Sequence, residues 1–458
     1  MDINDLVGST ITVGSVTASQ SSFGVPAVLA QFPAGTKGFA ASGPGSRTQY
    51  YSSTAGMLAA GWLATDAVLQ AASAVFKQNP HASQIMVGRI DAADGSAAFS
   101  GAAINGENSN WYTFSVVGFL TGKFTLSTDL ITGNSIASTV NGQAIAPVVF
   151  TSSHATTMAA WLTAIQAVFP TATGVVSGDT LTITIPNQDV FSITATVTLG
   201  ASQPATSISY SLTRASVTPW MDWAETAVKI SLWSDSDPAQ YAAPTGVVGT
   251  ACLGEYAKLK GYRRTVVIYH QTPGEYAQFA APGLELGYTP GLRTWAFKSY
   301  AGVSPDILTS PQDESIRAKN INVYTTVYGP GGSLGVSFNY AGTCAAAQTF
   351  IDDVRGTDWL NSKIQTDQLN LSIANPRIPF NDAGIQLRVE TLRGSLKAAQ
   401  ANTILNPEVA PVITYPKAAD VSPTDKGNRV LNNVSWSASY AGSIQNVNII
   451  GSISFPMN

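Results

Sequence analysis

The stretch Phe350–Leu371, "FIDDVRGTDWLNSKIQTDQLNL", concentrates charge in a chain of 458 residues of which only 11% are charged. Its apolar side chains recur at roughly the helical period and form a stripe made of Phe350, Ile351, Val354, Leu360 and Ile364. The stretch therefore predicts an amphipathic helix, which we expect to span residues 346–372.

The carboxylates of this helix raise the question of acid–base chemistry. Asp352 lies three residues before Arg355, and Arg355 lies three residues before Asp358, which are the spacings of ion pairs on one helix. A catalytic pair of carboxylates needs one desolvated acid beside one ionised partner, whereas the neighbouring Arg355 is expected to hold both carboxylates ionised. The pattern favours a solvated helix face, or a polar interface with another subunit, over a catalytic site.

Downstream, the chain predicts a second helix and then a terminal strand. Pro376 and Pro379 interrupt the helical pattern, which resumes over 382–401. The end of the chain, "NVNIIGSISFPMN", alternates and places on one face Val447, Ile449, Ile453 and Phe455. We therefore predict a C-terminal domain over 345–440 and a C-terminal strand arm over 441–458.

Upstream, strand patterns alternate with helix patterns. "GVPAVLAQF" and "SQIMVGRI" flank one helix pattern, and "VKISLW", "GEYAKLKG" and "RTVVIYH" continue the alternation after Ala224. Such alternation predicts a mostly parallel sheet with helices outside it. We therefore predict an α/β core over 21–98 and 222–344, in a chain that is α/β in class and α+β overall.

The region 99–221 differs in composition, because it holds few charged residues and is rich in Thr, Ser, Val and Gly. Asn141-Gly142 is a strong signal for a two-residue hairpin turn. "GVVSGDTLTITI" has a second hairpin pattern. The sequence thus predicts an inserted β-rich domain.

Residues 1–20 are predicted to form an N-terminal arm, in which Ile11 and Val13 lie on one face of a short strand signal. The start "MDINDLVGST" lacks the basic and apolar regions of a signal peptide. Cys252 and Cys344 could pair, but two cysteines make no disulfide framework. We therefore expect synthesis in a reducing compartment.

Composition also narrows the classes of partner. A net charge of −4 gives no basic excess for binding nucleic acid. The longest apolar stretch, 55–76, is interrupted by Asp66 and Gln70, which favours a soluble helix over direct membrane insertion. Low charge beside many Gly, Ser, Thr and Ala residues indicates a surface that copies of the same chain cover.

Motifs for catalysis or metal binding are weak. His81, His154 and His270 lie far apart, whereas a zinc site wants clustered ligands. "GGSLG" around Ser333 matches a nucleophile elbow, but a strand pattern follows it and every histidine precedes it, so a hairpin turn fits better. Catalytic triads in another chain order stay open, but this motif does not support them. "DSDP" at 235–238 lacks the Gly and Glu of a calcium loop, which favours a turn and a helix N-cap. We therefore predict that the protein is not an enzyme and that it binds no cofactor and no metal ion.

Several segments together resemble the tail sheath proteins of contractile-tailed phages (myoviruses). They are "FKQNPHASQIMVGRI", "GEYAKLKGYRRTVVIYH", "TFIDDVRGTDWLNSKIQTDQLNLSIANPRIPFNDAGI" and "SYAGSIQNVNIIGSISF". The resemblance covers roughly 21–98 and 225–458, and elsewhere the chain is similar only in kind. It implies an α/β sheath core, an inserted domain directed outward, a tube-side C-terminal domain of helices and strands, and extended terminal arms.

The same resemblance implies a structural subunit of the virion tail, assembled in the cytoplasm of the host bacterium. Such subunits polymerise around the tail tube and contract to drive it through the host envelope during genome delivery. The implied partners are further copies of the chain, the tail tube protein, and the baseplate and tail terminator proteins. The arm strands exchanged between subunits would include Ile11, Val13, Val447, Ile449 and Ile453. Polar contacts to the tube or to neighbours would come from Asp352, Asp353, Arg355, Asp358, Arg388, Arg393 and Lys397.

Two other classes of protein remain as alternatives. A secreted or surface β-rich adhesin would explain the Thr- and Ser-rich insert, but it should carry an export signal and lack the α/β body. An α/β hydrolase would explain the body and "GGSLG", but it conflicts with the positions of the histidines. Negative-stain microscopy separates these classes, because long hollow tubes support a sheath and persistent monomers oppose it.

Overall fold

The computed structural model describes residues 23–90, 101–117, 120–127, 129–140, 143–169, 172–178, 180–184, 193–199, 208–214, 218–246, 252–329, 332–339, 341–445 and 447. The chain divides into two compact units. The α/β unit comprises Ser22–Thr289 and Arg293–Val354, and the C-terminal unit includes Pro290–Leu292 and Arg355–Asn458.

The α/β unit contains fifteen strands and eight α-helices among the described residues. The strands are β1 (Pro26–Gln31), β2 (Thr48–Tyr51), β3 (Ile85–Ile90), β4 (Thr113–Val117), β5 (Leu120–Leu126), β6 (Ser135–Val140), β7 (Gln143–Val149), β8 (Thr173–Ser177), β9 (Thr180–Thr184), β10 (Ile193–Thr198), β11 (Ile208–Arg214), β12 (Ile230–Asp235), β13 (Thr265–Tyr269), β14 (Asn322–Gly329) and β15 (Gly332–Asn339). The helices are α1 (Thr54–Ala59), α2 (Ala67–Phe76), α3 (Gly101–Glu107), α4 (His154–Val168), α5 (Thr218–Ala227), α6 (Leu253–Lys260), α7 (Ala277–Glu285) and α8 (Ser310–Ala318).

An eight-stranded sheet lies at the centre of this unit, in the order β15-β14-β13-β12-β4-β1-β3-β2. Its six inner strands are parallel, and β15 and β2 pair antiparallel at the two edges. Alternate residues of the inner strands enter two different buried clusters: Val28 belongs to one and Leu29 to the other. Both faces are therefore covered, which explains the continuous apolar strands. The predicted α/β class and mostly parallel sheet are confirmed.

The glycine Gly283 permits the packing of α7 against α2. A Cβ atom at this position would lie 2.7 Å from the Cα of Val75, so any larger residue would push the two helices apart. Asp66 directly precedes α2, but its carboxylate does not cap that helix. It accepts hydrogen bonds from the Leu63 backbone N–H at 2.8 Å and from Lys37 Nζ at 2.6 Å.

The β-rich region forms two sheets of its own, β10-β6-β7 and β11-β5-β9-β8. Helix α4 contributes Met158, Trp161 and Ile165 to their shared core. The antiparallel pairs β6–β7 and β8–β9 confirm both predicted hairpins. Strand β4, however, pairs within the eight-stranded sheet. The separate sheets therefore begin after residue 117, whereas the predicted insert begins at residue 99. Residues 113–117 carry no charge because they are buried in the main sheet, so their composition resembles that of the insert.

The segment around Ser333 forms a hairpin, as the strand pattern predicts. Strands β14 and β15 are antiparallel, and Ser333 lies opposite Tyr328 within the ladder. No strand-to-helix elbow is present there. Cys252 and Cys344 are both free and buried.

The C-terminal unit contains α9 (Ile351–Ala374), whose first four residues belong to the α/β unit, followed by α10 (Asp382–Ala401), β16 (Val412–Thr414), α11 (Pro423–Gly427) and β17 (Ser435–Ser437). The bounds of α10 match the prediction, and Asn381 caps it by accepting the Gly384 backbone N–H at 2.9 Å. Helix α9 starts later than predicted. Its expected first residue, Ala346, lies in a bend and donates its backbone N–H to the Tyr262 carbonyl instead of entering a helical turn.

Side chains from both long helices form the core of the C-terminal unit. Leu360, Leu392, Leu396, Ala399, Ile404 and Leu405 are its buried members, with Ile364 packed against them. The predicted apolar stripe of α9 is thus confirmed at Leu360 and Ile364, and Ile351 and Val354 are buried in the α/β unit. Within the described part of the chain, no helix has the length and apolar character needed to cross a membrane.

Candidate assembly surface of the C-terminal unit

The charged stretch of α9 is less solvated than its composition suggests. Arg355 and Asp358 are only 4% and 7% exposed. The interpretation as a solvated helix face is therefore wrong at these two positions. Side chains this deeply buried are not presented to a partner in this conformation.

Asp352 differs from its predicted charge state. Burial and the nearby charge of Asp353 raise the pKa of Asp352 to about 7, against a smaller opposing effect of Lys298. Its Oδ1 atom is buried without a hydrogen-bond partner among the described residues. The expectation that this carboxylate is held firmly ionised is thus wrong, because desolvation is the largest influence on it. Burial also raises the pKa of Asp353.

A polar seam joins α9 and α10. Asp367 accepts a hydrogen bond from Lys363 Nζ at 2.7 Å and another from Ser395 Oγ at 2.6 Å. Arg388 donates to the Gln368 carbonyl oxygen at 2.9 Å and to Ser372 Oγ at 2.8 Å. Arg388 therefore makes these hydrogen bonds within its own subunit, although the resemblance implies a contact with the tube or a neighbour.

Two of the predicted contact residues face solvent on α10. Arg393 pairs with Glu390 at 3.3 Å, and both side chains are at least 40% exposed. Lys397 is exposed one turn further along the helix. An exposed pair of this kind adds little to the stability of the fold, so both groups are available to a partner at small cost.

A groove of about 500 Å³ opens beside these helices. Its apolar lining includes Ile364, Phe380, Ile385, Leu392, Leu431 and Trp436, and Arg388 and Arg429 also line it. An apolar groove with a few charged groups has the chemistry of a site for an extended peptide. It lies next to β17, to which Trp436 belongs.

Strands β16 and β17 form a two-stranded antiparallel sheet in which Ile413 lies opposite Trp436. Val412 is 62% exposed, and Val434 and Trp436 are also exposed. A two-stranded sheet is marginally stable alone, and among the described residues both outer edges of this one are unpaired. Exposed apolar side chains beside open backbone groups mark a surface that gains from the addition of further strands.

The chain continues beyond this surface without regular secondary structure over 441–445. Tyr440 pairs antiparallel with Leu405, and beyond it Ile444 and Val447 are 88% and 71% exposed. Val447, predicted to lie in an arm strand, is in no strand here. The other predicted arm residues, Ile11, Val13, Ile449 and Ile453, lie outside the described residues, as does Phe455.

The sequence does not predict the groove or the two-stranded sheet. The groove takes its lining from α9, from α10 and from single residues of 429–436, and no one periodic pattern links these positions. Strands β16 and β17 have three residues each, which is too short for a recognisable strand period. One signal was present: Trp436 stands in a Ser- and Asn-rich segment, where a large aromatic side chain has little of its own chain to bury it.

The three histidines lie in different surroundings. His81 contacts the Ala82 carbonyl, His154 contacts Asp129, and His270 contacts Asp306 and Glu275. Among the residues with described positions, no group of three or more His, Cys, Asp or Glu side chains is arranged to hold a metal ion.

No protein-family profile and no curated protein matches the sequence. A chain in the cryo-EM structure of the anti-feeding prophage (AFP) baseplate, 6-fold symmetrised, is similar with a TM-score of 0.51 and 11% identity, over 98% of this chain and 99% of that chain. A chain in the cryo-EM structure of an extracellular contractile injection system, the PVC sheath complex in its contracted state, is similar with a TM-score of 0.50 and 9% identity, over 97% of this chain and 95% of that chain. The chain thus has the fold found in the sheath complex of a contractile injection system, which confirms at the level of the fold the resemblance that its sequence carries.

Proposed function

We propose that this protein is the sheath subunit of a contractile phage tail, a structural protein without enzymatic activity. Copies of it assemble around a tail tube in stacked rings or helical strands, and their contraction drives the tube through the host envelope. The observation that carries the proposal is the surface of the C-terminal unit, where an open two-stranded sheet and an apolar groove lie together. The shared fold of a contractile sheath complex supports the same function.

Assembly proceeds by β-augmentation. The terminal arms of neighbouring copies, with Ile11 and Val13 in one and Val447, Ile449 and Ile453 in the other, add strands to the open edges of β16 and β17. Backbone hydrogen bonds then hold the copies together, while the extended segments beside them absorb rotation. Head-to-tail contacts of this kind generate rings or helical arrays.

Contraction requires contacts that can be exchanged. Exposed polar groups on α10, above all Arg393 and Lys397, contact the tube or a neighbouring copy in one state and are released in the other. Such exposed charges are weakly bound, so their release costs little. The driving free energy is a difference in inter-subunit packing between two arrangements of one fold. The β-rich insert is directed outward, and the baseplate and tail terminator proteins bound the assembly at its two ends.

The test is removal of the N-terminal arm. A variant lacking residues 1–18 is expected to remain folded by circular dichroism, since the described α/β unit begins after them. In negative-stain microscopy with tail tubes it is expected to form no long sheaths. The matched control replaces Ile11 and Val13 by Thr, which keeps the length and strand propensity of the arm. Full-length sheaths from the truncated protein would show that the arm is not a tether, and persistent monomers of the intact chain would refute the sheath function itself.

A further inference from the structure

His270 lies at the carboxyl end of the parallel strand β13, where it is 1% exposed. Its Nδ1 atom lies 3.0 Å and 3.2 Å from the two carboxylate oxygens of Asp306. Its Nε2 atom lies 3.1 Å from Oε2 of Glu275. Both ring nitrogens of one buried imidazole therefore face carboxylates, which belong to two different segments of the chain.

This geometry determines the proton count of the ring. A neutral imidazole has one N–H donor, and its second nitrogen is an acceptor that repels a carboxylate oxygen. Only the imidazolium donates to Asp306 and Glu275 together. The pKa values agree: burial alone would lower the pKa of His270, but the two carboxylates outweigh it and raise the pKa.

The two carboxylates are held differently. Asp306 is 1% exposed and accepts the backbone N–H of Gln271 at 2.7 Å. Glu275 is 24% exposed and accepts the backbone N–H and the hydroxyl of Ser304. If His270 loses its proton, Glu275 has access to solvent, whereas Asp306 does not.

Among the described residues, Asp306 and Glu275 are the charged groups that act on His270. The adjacent end of β12 carries Asp235, whose carboxylate accepts hydrogen bonds from the Gln240 side chain and the Asp237 backbone N–H. The imidazole therefore responds to the two carboxylates that it contacts.

We propose that His270 is a proton-controlled clamp that ties the turn 273–275 and the loop 303–306 to the end of β13. In the protonated state it bridges Asp306 and Glu275. When the proton is lost, one N–H···O bond is lost as well, Glu275 turns to solvent, and the loop around Ser304 loses its anchor. Asp306 stays bound to the remaining ring N–H.

The clamp has a defined pH window. The pKa of His270 is raised above its ordinary 6.5, so its stabilising effect is present below pH 6.5 and is lost as the pH rises through the folded-state value. Burial opposes ionisation of Glu275, but the hydrogen bonds of Ser304 and the charge of His270 lower its pKa below 4.5. The contribution of Glu275 is present above pH 4.5 and is lost as the pH falls through its lowered value. Both contributions are therefore fully present between pH 4.5 and pH 6.5.

The test uses the full chain and Glu275→Gln, which keeps the shape of the side chain but removes its charge. The ring protons of His270 are followed by NMR from pH 5 to pH 9, with His81→Gln as the control for assignment and for general effects. In the unaltered chain we expect His270 to titrate above pH 6.5 and amide exchange at Ser304 to rise about tenfold beyond its intrinsic pH dependence as the proton leaves. In Glu275→Gln the titration should shift to lower pH, and exchange at Ser304 should no longer change as the His270 proton leaves, because the amide oxygen accepts the Ser304 N–H without a charge on the ring.

A His270 titration at or below pH 6.5 in the unaltered chain would overturn the proposal. So would a rate of amide exchange at Ser304 that does not change when His270 loses its proton. His270→Gln gives a second reading by thermal unfolding. Its melting temperature should differ most from that of the unaltered chain below pH 6.5 and approach it at pH 9. A difference that is constant with pH would assign His270 a packing role only.

Discussion

The two units of the chain differ in how completely they bury their apolar side chains. The α/β unit encloses its sheet on both faces, with aromatic side chains such as Trp111, Phe114 and Phe279 almost fully buried. The C-terminal unit exposes more large apolar side chains among its described residues than the much longer α/β unit does. The α/β unit therefore buries most of its large apolar side chains within itself, whereas the C-terminal unit leaves an apolar surface of the kind that a partner can cover.

The largest expected effect belongs to the core of the α/β unit. Phe114→Ala on the central strand β4 should lower the free energy of unfolding by about 3–5 kcal/mol, because it leaves a cavity between packed aromatic side chains. Urea denaturation of the monomer measures it. A loss below about 1 kcal/mol would show that the α/β unit does not depend on the packing of its own core, and the contrast between the two units would then be wrong.

Asp352→Asn should stabilise the protein at high pH. The pKa of Asp352 is raised from 3.8 to about 7, so the folded state binds a proton that the unfolded state releases, and stability falls as the pH rises between these values. The amide removes this cost, with a gain of up to about 4 kcal/mol at pH 8 and little change at pH 4. Thermal unfolding at both pH values measures it, with Asp313→Asn on α8 as control. Equal gains at both pH values would exclude a titration effect.

The N-cap of α10 should contribute less. Asn381→Ala removes the side-chain acceptor for the Gly384 backbone N–H and should cost about 1 kcal/mol. Asn381→Asp keeps an acceptor and adds a favourable charge at the helix N-terminus, so it should cost nothing. Chemical denaturation of both variants checks the pair. Equal losses in the two would mean that the cap does not support this helix.

The smallest effect on stability should come from the open sheet. Val412→Lys changes a side chain that is 62% exposed, so the free energy of unfolding should shift by less than about 0.5 kcal/mol. A lysine on a sheet edge opposes the addition of another strand, and assembly on tubes should therefore fail. Sedimentation of assemblies measures this, with Val175→Lys in the insert as an equally exposed control. Normal assembly of Val412→Lys would remove this edge from the interface.

Much of the fold could be predicted because its signals are local. Continuous apolar strands alternating with helices predict the parallel sheet, the Asn141-Gly142 turn predicts its hairpin, and the period of 382–401 predicts α10. The boundary at residue 99 failed because a buried central strand and an inserted domain are both poor in charge. Helix α9 begins later than predicted because the backbone N–H groups of Ala345 and Ala346 bond to Thr265 and Tyr262, which lie far away in the sequence.

The candidate surface was harder to predict for a physical reason. Spacing on α9 suggests ion pairs, but it does not reveal that tertiary packing buries Arg355 and desolvates Asp352. The groove combines α9, α10 and single residues near Arg429 and Trp436, and no periodic pattern links such positions. The same holds for His270, whose partner Asp306 lies 36 residues away.

The neighbouring strands β4 and β12 pair directly, with Thr113 opposite Ile230. The chain departs after β4 and returns through α5 to β12, so the β-rich insert interrupts one strand–helix–strand crossover. A crossover of this kind closes with a short connection, and it accepts a foreign domain whose two ends lie close together. Leu120 lies opposite Arg214, so the two ends of the insert are close together. We therefore expect that replacing residues 120–214 by another domain with adjacent ends leaves the register of the central sheet unchanged.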